Sequence, residues 1–287
     1  MAGKREQHTP RRWPGSLMAL AAVCLLLTLG GPRGAAADSP LDLPLREPGE
    51  PAGPAAQTEE PAPPEASPTS ETALRWAGPV PESLPAEDSY FADAVFLGDS
   101  RTDGFRLYSG LGTGTYLCAT GVTVESVFTK DFDTPLGRMP LLDALSQMDC
   151  GKIYVMLGVN ELGWPGTDLF REKSERLILR LQADHPDAQI FIQSILPVSA
   201  RQDAKGSYVN NQRVADYNAV WQDLAEELGT FYVAVGDVLT GEDGCLPADL
   251  NFDGVHLNPA GCAIWLDYLR THTVSQLSLE LDTEPSS

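Results

Sequence analysis

The sequence predicts a single α/β domain with a central parallel sheet of about five strands and helices on both faces of that sheet. Two observations between residues 89 and 275 lead to this prediction. The first is a series of short apolar runs rich in Val, Ile, Phe and Tyr, and the second is their alternation with longer amphipathic segments of helical period. Strands that are buried on both faces have such uninterrupted apolar runs. Each strand followed by a helix is the pattern of parallel pairing.

The predicted elements follow one another in a regular order. We expect strands at 94–97, 116–119, 153–157, 190–196 and 231–235, and helices at 140–148, 168–183, 211–228 and 259–272. A further helix is expected to open at Ser100, directly after the first strand. Asn258 and Pro259 give the last helix a capping side chain and a proline in its first turn.

The first 88 residues differ in composition from this domain. Within residues 1–37, basic residues precede an apolar run at 17–29 and small residues at 35–37, which is typical of an export signal. The run is shorter than the roughly 20 residues that span a bilayer, so a cleaved signal is favoured over a short membrane anchor. Arg33, close to the cleavage point, keeps the anchor open as an alternative.

Two segments, one on each side of the folded domain, are predicted to be disordered. Residues 38–88 are rich in Pro, Ala and acidic residues and have no apolar period, so they cannot bury enough surface to offset the entropy of ordering. They are predicted to form an extended linker. The folded domain is then expected at 89–275, and residues 276–287 are predicted to be a disordered tail.

The charge of the chain limits its partners. The net charge is −20, and it becomes more negative once residues 1–37 are removed, because that segment holds five basic residues and one acidic residue. Nucleic acids and anionic lipids bind through Lys and Arg, so neither is an expected partner. A membrane is expected to be contacted only through an uncleaved N-terminal segment. No feature of the sequence indicates an oligomeric state.

The cysteines and acidic residues do not predict a metal site. No CxxC pair is present, which excludes a zinc ribbon. The segment 249–254 matches the first half of a calcium-binding EF-hand loop, but its twelfth position is Ala260 where a bidentate Glu is required. Cys245 and Cys262 lie close in sequence and either form a disulfide or remain free thiols.

Three candidate functional residues follow predicted strands. In an open parallel sheet, ligands bind outside the carboxyl ends of the strands. Ser100 follows the first strand, Gly121 the second and Asn160 the third. Each has an ordinary structural alternative: a helix N-cap for the serine, a turn for the glycine, and a cap for the asparagine.

A fourth candidate pair lies before the last helix. In Asp253-Gly254-Val255-His256, the carboxylate comes three residues before the imidazole on a tight loop. A carboxylate in that position can accept a hydrogen bond from Nδ1–H and leave Nε2 as a base. Taken together, the candidates supply a nucleophile, an oriented base and further hydrogen-bond donors, which are the groups needed for acyl transfer.

These segments resemble a known family. Gly98-Asp99-Ser100, Gly121, Gly158-x-Asn160 and Asp253-x-x-His256 are similar, in this order, to the four sequence blocks of the SGNH (GDSL-type) hydrolase superfamily. The resemblance covers roughly residues 94–263 and implies a flavodoxin-like three-layer α/β/α fold. It also implies that Ser100 is the nucleophile, that His256 is the general base and that Asp253 orients the imidazole. The implied oxyanion hole consists of the backbone N–H groups of Ser100 and Gly121 and the side-chain amide of Asn160, and the chemistry requires neither cofactor nor metal.

Two positions depart from the family pattern. The third block usually continues with Asp, whereas this chain has Glu161, a longer carboxylate that could alter the support of Asn160. The second block often has Asn ahead of its glycine, whereas this chain has Cys118-Ala119-Thr120, which weakens the assignment of Gly121. Neither change removes a reacting group.

The predicted function is that of an exported serine esterase acting on carboxylic esters through an acyl-enzyme. O-acetyl groups on an extracytoplasmic polysaccharide are the expected substrate. A small lipase or lysophospholipase ranks second, because the negative charge disfavours anionic lipid and no long apolar lid segment is present. A non-catalytic carbohydrate-binding module with the same fold ranks third, because the set of reacting residues is complete.

Overall fold

Five parallel strands form the centre of the molecule. The structure is a computed structural model that describes residues 78–274. The strands are β1 (Ala94–Gly98), β2 (Thr115–Cys118), β3 (Asp131–Thr134), β4 (Gly137–Pro140), β5 (Lys152–Met156), β6 (Gln189–Gln193) and β7 (Phe231–Val233). The main sheet has the strand order β2-β1-β5-β6-β7, and all four pairings are parallel. A separate antiparallel hairpin pairs β3 with β4.

Helices cover both faces of the sheet. They are α1 (Ser100–Tyr108), α2 (Leu141–Leu145), α3 (Thr167–Asp184), α4 (Ala200–Asp203), α5 (Asn211–Leu228), α6 (Val235–Val238) and α7 (Pro259–Thr271). One apolar cluster joins the sheet to α2, α3 and α5, and a second cluster joins the other face to α1 and α7. The molecule is therefore a three-layer α/β/α structure, as the sequence predicted.

The strand residues alternate between these two clusters. Val95 and Leu97 of β1 lie in the first cluster, whereas Ala94 and Phe96 lie in the second. Every residue of β1 is buried. This explains why its sequence is an uninterrupted apolar run, since both faces of the strand contact helices.

The folded domain begins earlier than the sequence predicted. Val80 is buried, and its N–H donates to the carbonyl of Tyr232 on β7 at 2.8 Å. The N–H groups of Ser83 and Ala86 donate to carbonyls at the end of α7, and Asp88 forms an ion pair with Arg270. Residues 79–88, predicted as the end of the linker, are thus part of the packed domain. The prediction went wrong because these residues are held mainly by backbone hydrogen bonds, which leave no apolar period in the sequence.

Some elements have no counterpart in the sequence prediction. The β3–β4 hairpin and the four-residue helices α4 and α6 were not expected. The predicted helix at 140–148 is shortened to α2, and the strand predicted at 190–196 ends at Gln193. The other predicted strands and helices differ from the observed bounds by one or two residues at most ends.

Several predictions concern residues outside the described range. The export signal at 1–37, the linker up to residue 77 and the tail at 276–287 all lie there. Within residues 78–274, no helix is both long enough and apolar enough to cross a membrane.

Candidate active site

Ser100 is the first residue of α1 and lies at the carboxyl end of the central part of the sheet. The residue that caps this helix is Asp99, whose carboxylate accepts from the N–H of Arg101 at 2.8 Å. Capping, the ordinary alternative for Ser100, is therefore performed by its neighbour. The turn requires glycine at position 98, because a Cβ there would lie 2.7 Å from the carbonyl oxygen of Met156 and closer still to the Thr102 hydroxyl.

The hydroxyl of Ser100 is aligned with His256 and Asp253. Ser100 Oγ lies 2.9 Å from His256 Nε2, and His256 Nδ1 lies 2.8 Å from Asp253 Oδ2. The other carboxylate oxygen, Oδ1, accepts from the backbone N–H groups of Val255 and His256, each at 2.9 Å. The loop geometry therefore fixes the carboxylate, and the carboxylate fixes the ring.

The protonation states follow from these contacts. Burial would raise the pKa of Asp253, but hydrogen bonds from His256, through its backbone and its imidazole, and from the Val255 N–H outweigh it and lower the pKa below its usual value. An ionised carboxylate can only accept, so Nδ1 carries the proton of the neutral ring. Nε2 then accepts from the Ser100 hydroxyl. This is the tautomer that a general base for a serine nucleophile requires.

The glycine between Asp253 and His256 is also required by its surroundings. Gly254 has φ +99°, and a Cβ there would lie 2.5 Å from the hydroxyl oxygen of Ser199. Its carbonyl accepts from the N–H of Ser199 at 2.9 Å, and its N–H donates to the side chain of Asn251 at 2.7 Å. The loop that carries Asp253 and His256 is therefore attached to the segment at the start of α4.

The three predicted oxyanion donors follow three neighbouring strands. Ser100 follows β1, which lies between β2 and β5, while Gly121 follows β2 and Asn160 follows β5. The N–H of Ser100 belongs to the first turn of α1, where it has no acceptor within the helix. Gly121 has φ +77°, and its N–H has no hydrogen-bond partner in the described part of the chain. The sheet order thus brings all three residues to one edge.

Asn160 is held with one of its two amide hydrogens. Its Nδ2 donates to the carbonyl of Val122 at 2.8 Å, which leaves the second N–H of the same nitrogen for a ligand. The turn before it needs Gly158, which has φ +128° and where a Cβ would lie 2.3 Å from Ile195 Cδ1. The Tyr217 hydroxyl donates to the Glu161 carbonyl at 2.9 Å, fixing the chain just after Asn160.

Next to Ser100 the chain has a buried arginine that the sequence did not predict. Arg101 is 3% exposed, and its Nη1 donates to the Leu196 carbonyl at 2.8 Å. Burial lowers the pKa of Arg101 to about 10, although the negative charges of Asp99 and Asp253 raise it in part. Burial raises the pKa of Asp99 to about 6, although Arg101 opposes that shift. A cation in the first turn of a helix runs against the helix dipole, and this was the signal in the sequence that could have identified it.

The match to a family model decides the identity of the fold. The model of the GDSL-like lipase/acylhydrolase family matches residues 96–264, which is more than half of the chain and includes all the candidate residues. The chain belongs to the GDSL-like lipase/acylhydrolase family. This family is part of the SGNH hydrolase superfamily, so the resemblance identified from the four sequence blocks is confirmed.

Several solved structures are similar to this chain. A candidate platelet activating factor from Streptococcus pneumonia is 24% identical, with a TM-score of 0.51, over 61% of this chain and 81% of that one. A GDSL-like lipase from Bacteroides thetaiotaomicron is 16% identical, with a TM-score of 0.47, over 62% of this chain and 85% of that one. An acetyl xylan esterase is 16% identical, with a TM-score of 0.45, over 61% of this chain and 96% of that one. No curated protein sequence matches the chain significantly.

The cysteines and three aromatic residues of this GDSL-like domain are placed as follows. Cys245 and Cys262 are free thiols, as are Cys118 and Cys150. Tyr217 and Trp221 are buried core residues of α5, and Trp164 is partly buried against the same apolar cluster. Within the described residues, no group of three or more His, Cys, Asp or Glu side chains is arranged to hold a metal ion.

Proposed function

We propose that this GDSL-like protein is a serine esterase that hydrolyses carboxylic esters through an acyl-enzyme. The observation that carries the proposal is the unbroken hydrogen-bonded chain from Ser100 through His256 to Asp253, with contacts of 2.9 and 2.8 Å. A non-catalytic module would have no need for a serine hydroxyl aligned with an imidazole in this tautomer.

The reaction follows from the protonation states of the site. His256 Nε2 removes the proton of Ser100 as Oγ attacks the ester carbonyl, and the resulting imidazolium is stabilised by the Asp253 carboxylate. The oxyanion is bound by the backbone N–H groups of Ser100 and Gly121 and by the second N–H of Asn160. The imidazolium gives its proton to the departing alcohol as the ester C–O bond breaks. His256 then takes a proton from a water that attacks the acyl carbon, and it returns this proton to Ser100 Oγ as the acyl–Oγ bond breaks and the acid leaves.

Features around the site support a glycan ester as the substrate. Phe252, which directly precedes Asp253, is 58% exposed and packs edge-on against Tyr108, with ring centroids 5.6 Å apart. A cavity of about 530 Å³ lies beside this loop and is lined by both polar and apolar groups, among them Arg201, Asn251 and Phe252. Exposed aromatic rings next to polar side chains suit sugars, which have apolar faces and many hydroxyl groups.

The proposed location is extracytoplasmic. It is supported by the basic and then apolar residues of the segment 1–37 and by the proline-rich segment that follows. The acidic chain is compatible with neutral acetylated polysaccharide and unfavourable for anionic lipid. We therefore propose O-acetyl groups of extracytoplasmic polysaccharide as the substrate class.

The test is hydrolysis of a chromogenic acetyl ester by the full-length protein and by Ser100→Ala. The variant should lose at least 99% of the activity and keep the unfolding midpoint, because loss of one member of such a triad costs far more than a hundredfold in rate. Ser109→Ala, at the other end of α1, is the matched control and should keep full activity. Turnover by Ser100→Ala above about 1% would exclude Ser100 as the nucleophile.

The substrate class is tested separately with acetylated glycans and with esters of increasing acyl length. The proposal expects acetyl release from the glycans and a rate that falls as the acyl chain grows. A preference for long acyl chains would contradict the glycan proposal and would favour a lipase.

A further inference from the structure

Glu161 is a buried carboxyl group beside the active site that the proposed reaction does not use. The residue is 0% exposed. Its Oε1 accepts from the backbone N–H of Val124 at 2.6 Å, and its Oε2 has no partner among the described residues. Burial raises the pKa of Glu161 to about 8, with a further contribution from the charge of Asp99. The group is therefore mainly neutral at pH 7.

Glu161 and its neighbour Asn160 hold the same stretch of backbone. Asn160 Nδ2 donates to the carbonyl of Val122, and Glu161 Oε1 accepts from the N–H of Val124. Both valines are completely buried, so neither backbone group can exchange its partner for bulk water. The stretch begins at Gly121, whose N–H is one of the three oxyanion donors in the proposed reaction.

We propose that Glu161 is a positioning residue for the oxyanion hole: its carboxyl group ties Val124 to the turn that carries Asn160 and so sets the separation between the Gly121 N–H and the Asn160 amide. The inference rests on the proposed esterase function. The sequence suggested that Glu161 would alter the support of Asn160 itself. The proposed role is instead to hold the segment that follows Gly121, through the backbone N–H of Val124.

The direction of the effect follows from where the donors act. An oxyanion forms only as the ester carbonyl is attacked, so a displaced donor raises the barrier of the chemical step and leaves ground-state binding unchanged. Displacement of about 1 Å is enough to cost up to 10²-fold in rate. Removal of the Glu161 carboxyl leaves the Val124 N–H buried without an acceptor, which favours such a displacement.

The first experiment compares Glu161→Ala with Glu161→Gln in the full-length protein. Glutamine keeps the shape and an acceptor oxygen for Val124, so its kcat should remain within about threefold of the parent. Alanine should lower kcat by 10- to 100-fold and change KM by less than about threefold. Leu177→Ala, which opens a cavity in the same apolar cluster on α3, controls for a general loss of core packing and should leave kcat unchanged.

A second experiment tests whether Glu161 acts through the oxyanion hole. In the double variant with Asn160→Ala, the two losses in kcat should combine to less than their product, because both changes disturb the same hole. An infrared difference spectrum at pH 7 should also show a protonated carboxyl band that Glu161→Gln lacks, and this measurement does not depend on activity.

The outcomes separate this inference from the proposed function. An inactive parent protein would reject the esterase proposal itself. An active parent in which Glu161→Ala keeps kcat, or loses only stability as Leu177→Ala does, would reject the positioning role and leave the esterase proposal intact. A fully multiplicative double variant would also reject it.

Discussion

The two aspartates that flank the reacting groups have opposite environments. Asp99 is 1% exposed and caps α1, whereas the side chain of Asp253 is 56% exposed although it orients His256. Solvent screens an exposed carboxylate, so its charge stabilises the imidazolium less than a buried carboxylate would. Its hydrogen-bond geometry is then the larger part of what Asp253 contributes.

This difference leads to a prediction for Asp253→Asn. The asparagine oxygen can still accept from the N–H groups of Val255 and His256, so the loop should keep its shape. The amide nitrogen, however, would donate to Nδ1 and move the ring proton to Nε2, which is the wrong tautomer for a base. We expect kcat/KM to fall by roughly 10²–10⁴ with an unchanged unfolding midpoint.

The control for this prediction is Asp253→Ala, which removes the tautomer effect and the loop contacts together. It should be less stable than Asp253→Asn. An unchanged kcat/KM in Asp253→Asn across the pH range would mean that another group orients His256.

The sequence located the candidate residues but not all of their supports. Ser100 and Asn160 could be found because each follows a predicted strand, and Asp253 and His256 because their spacing on a tight loop suits a carboxylate–imidazole pair. The capping role of Asp99 and the contact of Glu161 with Val124 could not be found, since both depend on which backbone groups are brought near in the fold.

At the level of elements, short connections with glycine shape the site. Gly158 joins β5 to the turn of Asn160, and there is no room for a side chain between it and Ile195. The turn after the strand is therefore set by close backbone packing.

The predicted strands and long helices were recovered because their apolar periods extend over many residues. The β3–β4 hairpin was missed because its strands are largely exposed and short.

Gly158→Ala tests the role of this turn. The added methyl group would clash with Ile195, and alanine would have to adopt a backbone conformation that residues with a side chain rarely take. We therefore expect the free energy of unfolding to fall by roughly 2–4 kcal/mol. Displacement of Asn160 should also lower kcat. Urea unfolding and acetyl-ester kinetics measure both effects.

Gly104→Ala is the matched control for that change. Gly104 lies within α1, and a Cβ there meets nothing within 4 Å. Alanine should stabilise the protein by about 0.5–1 kcal/mol, since it has the higher helix propensity. If both variants behaved alike, the packing explanation for Gly158 would be wrong.

At the level of the whole molecule, buried carboxyl groups make stability depend on pH. Burial raises the pKa of Glu161 to about 8 in the folded state, whereas in the unfolded chain the group loses its proton near its ordinary pKa of 4.5. Between these values the unfolded state binds fewer protons, so the free energy of unfolding should decrease as the pH rises. Asp99, with its pKa raised to about 6, acts in the same direction only at lower pH.

The prediction is a loss of stability between pH 6 and pH 8 that Glu161→Gln removes. Urea unfolding midpoints at several pH values in this window measure it. Asp99→Asn, as the control, should keep the slope between pH 6 and pH 8. Parallel curves for the parent and Glu161→Gln would show that Glu161 is not protonated in the folded protein.

The backbone at residues 79–80 has a consequence for association between copies. Strand β7 lies at one end of the sheet, and the Pro79–Val80 segment pairs with Tyr232 on its outer side. An edge strand with open N–H and C=O groups is a template for pairing with another chain. A shortened protein that began at Ser89 would lose this cover, and its sheets could join edge to edge into aggregates. The first residues of the packed domain thus cover the backbone of an edge strand that would otherwise be open to pairing with another copy.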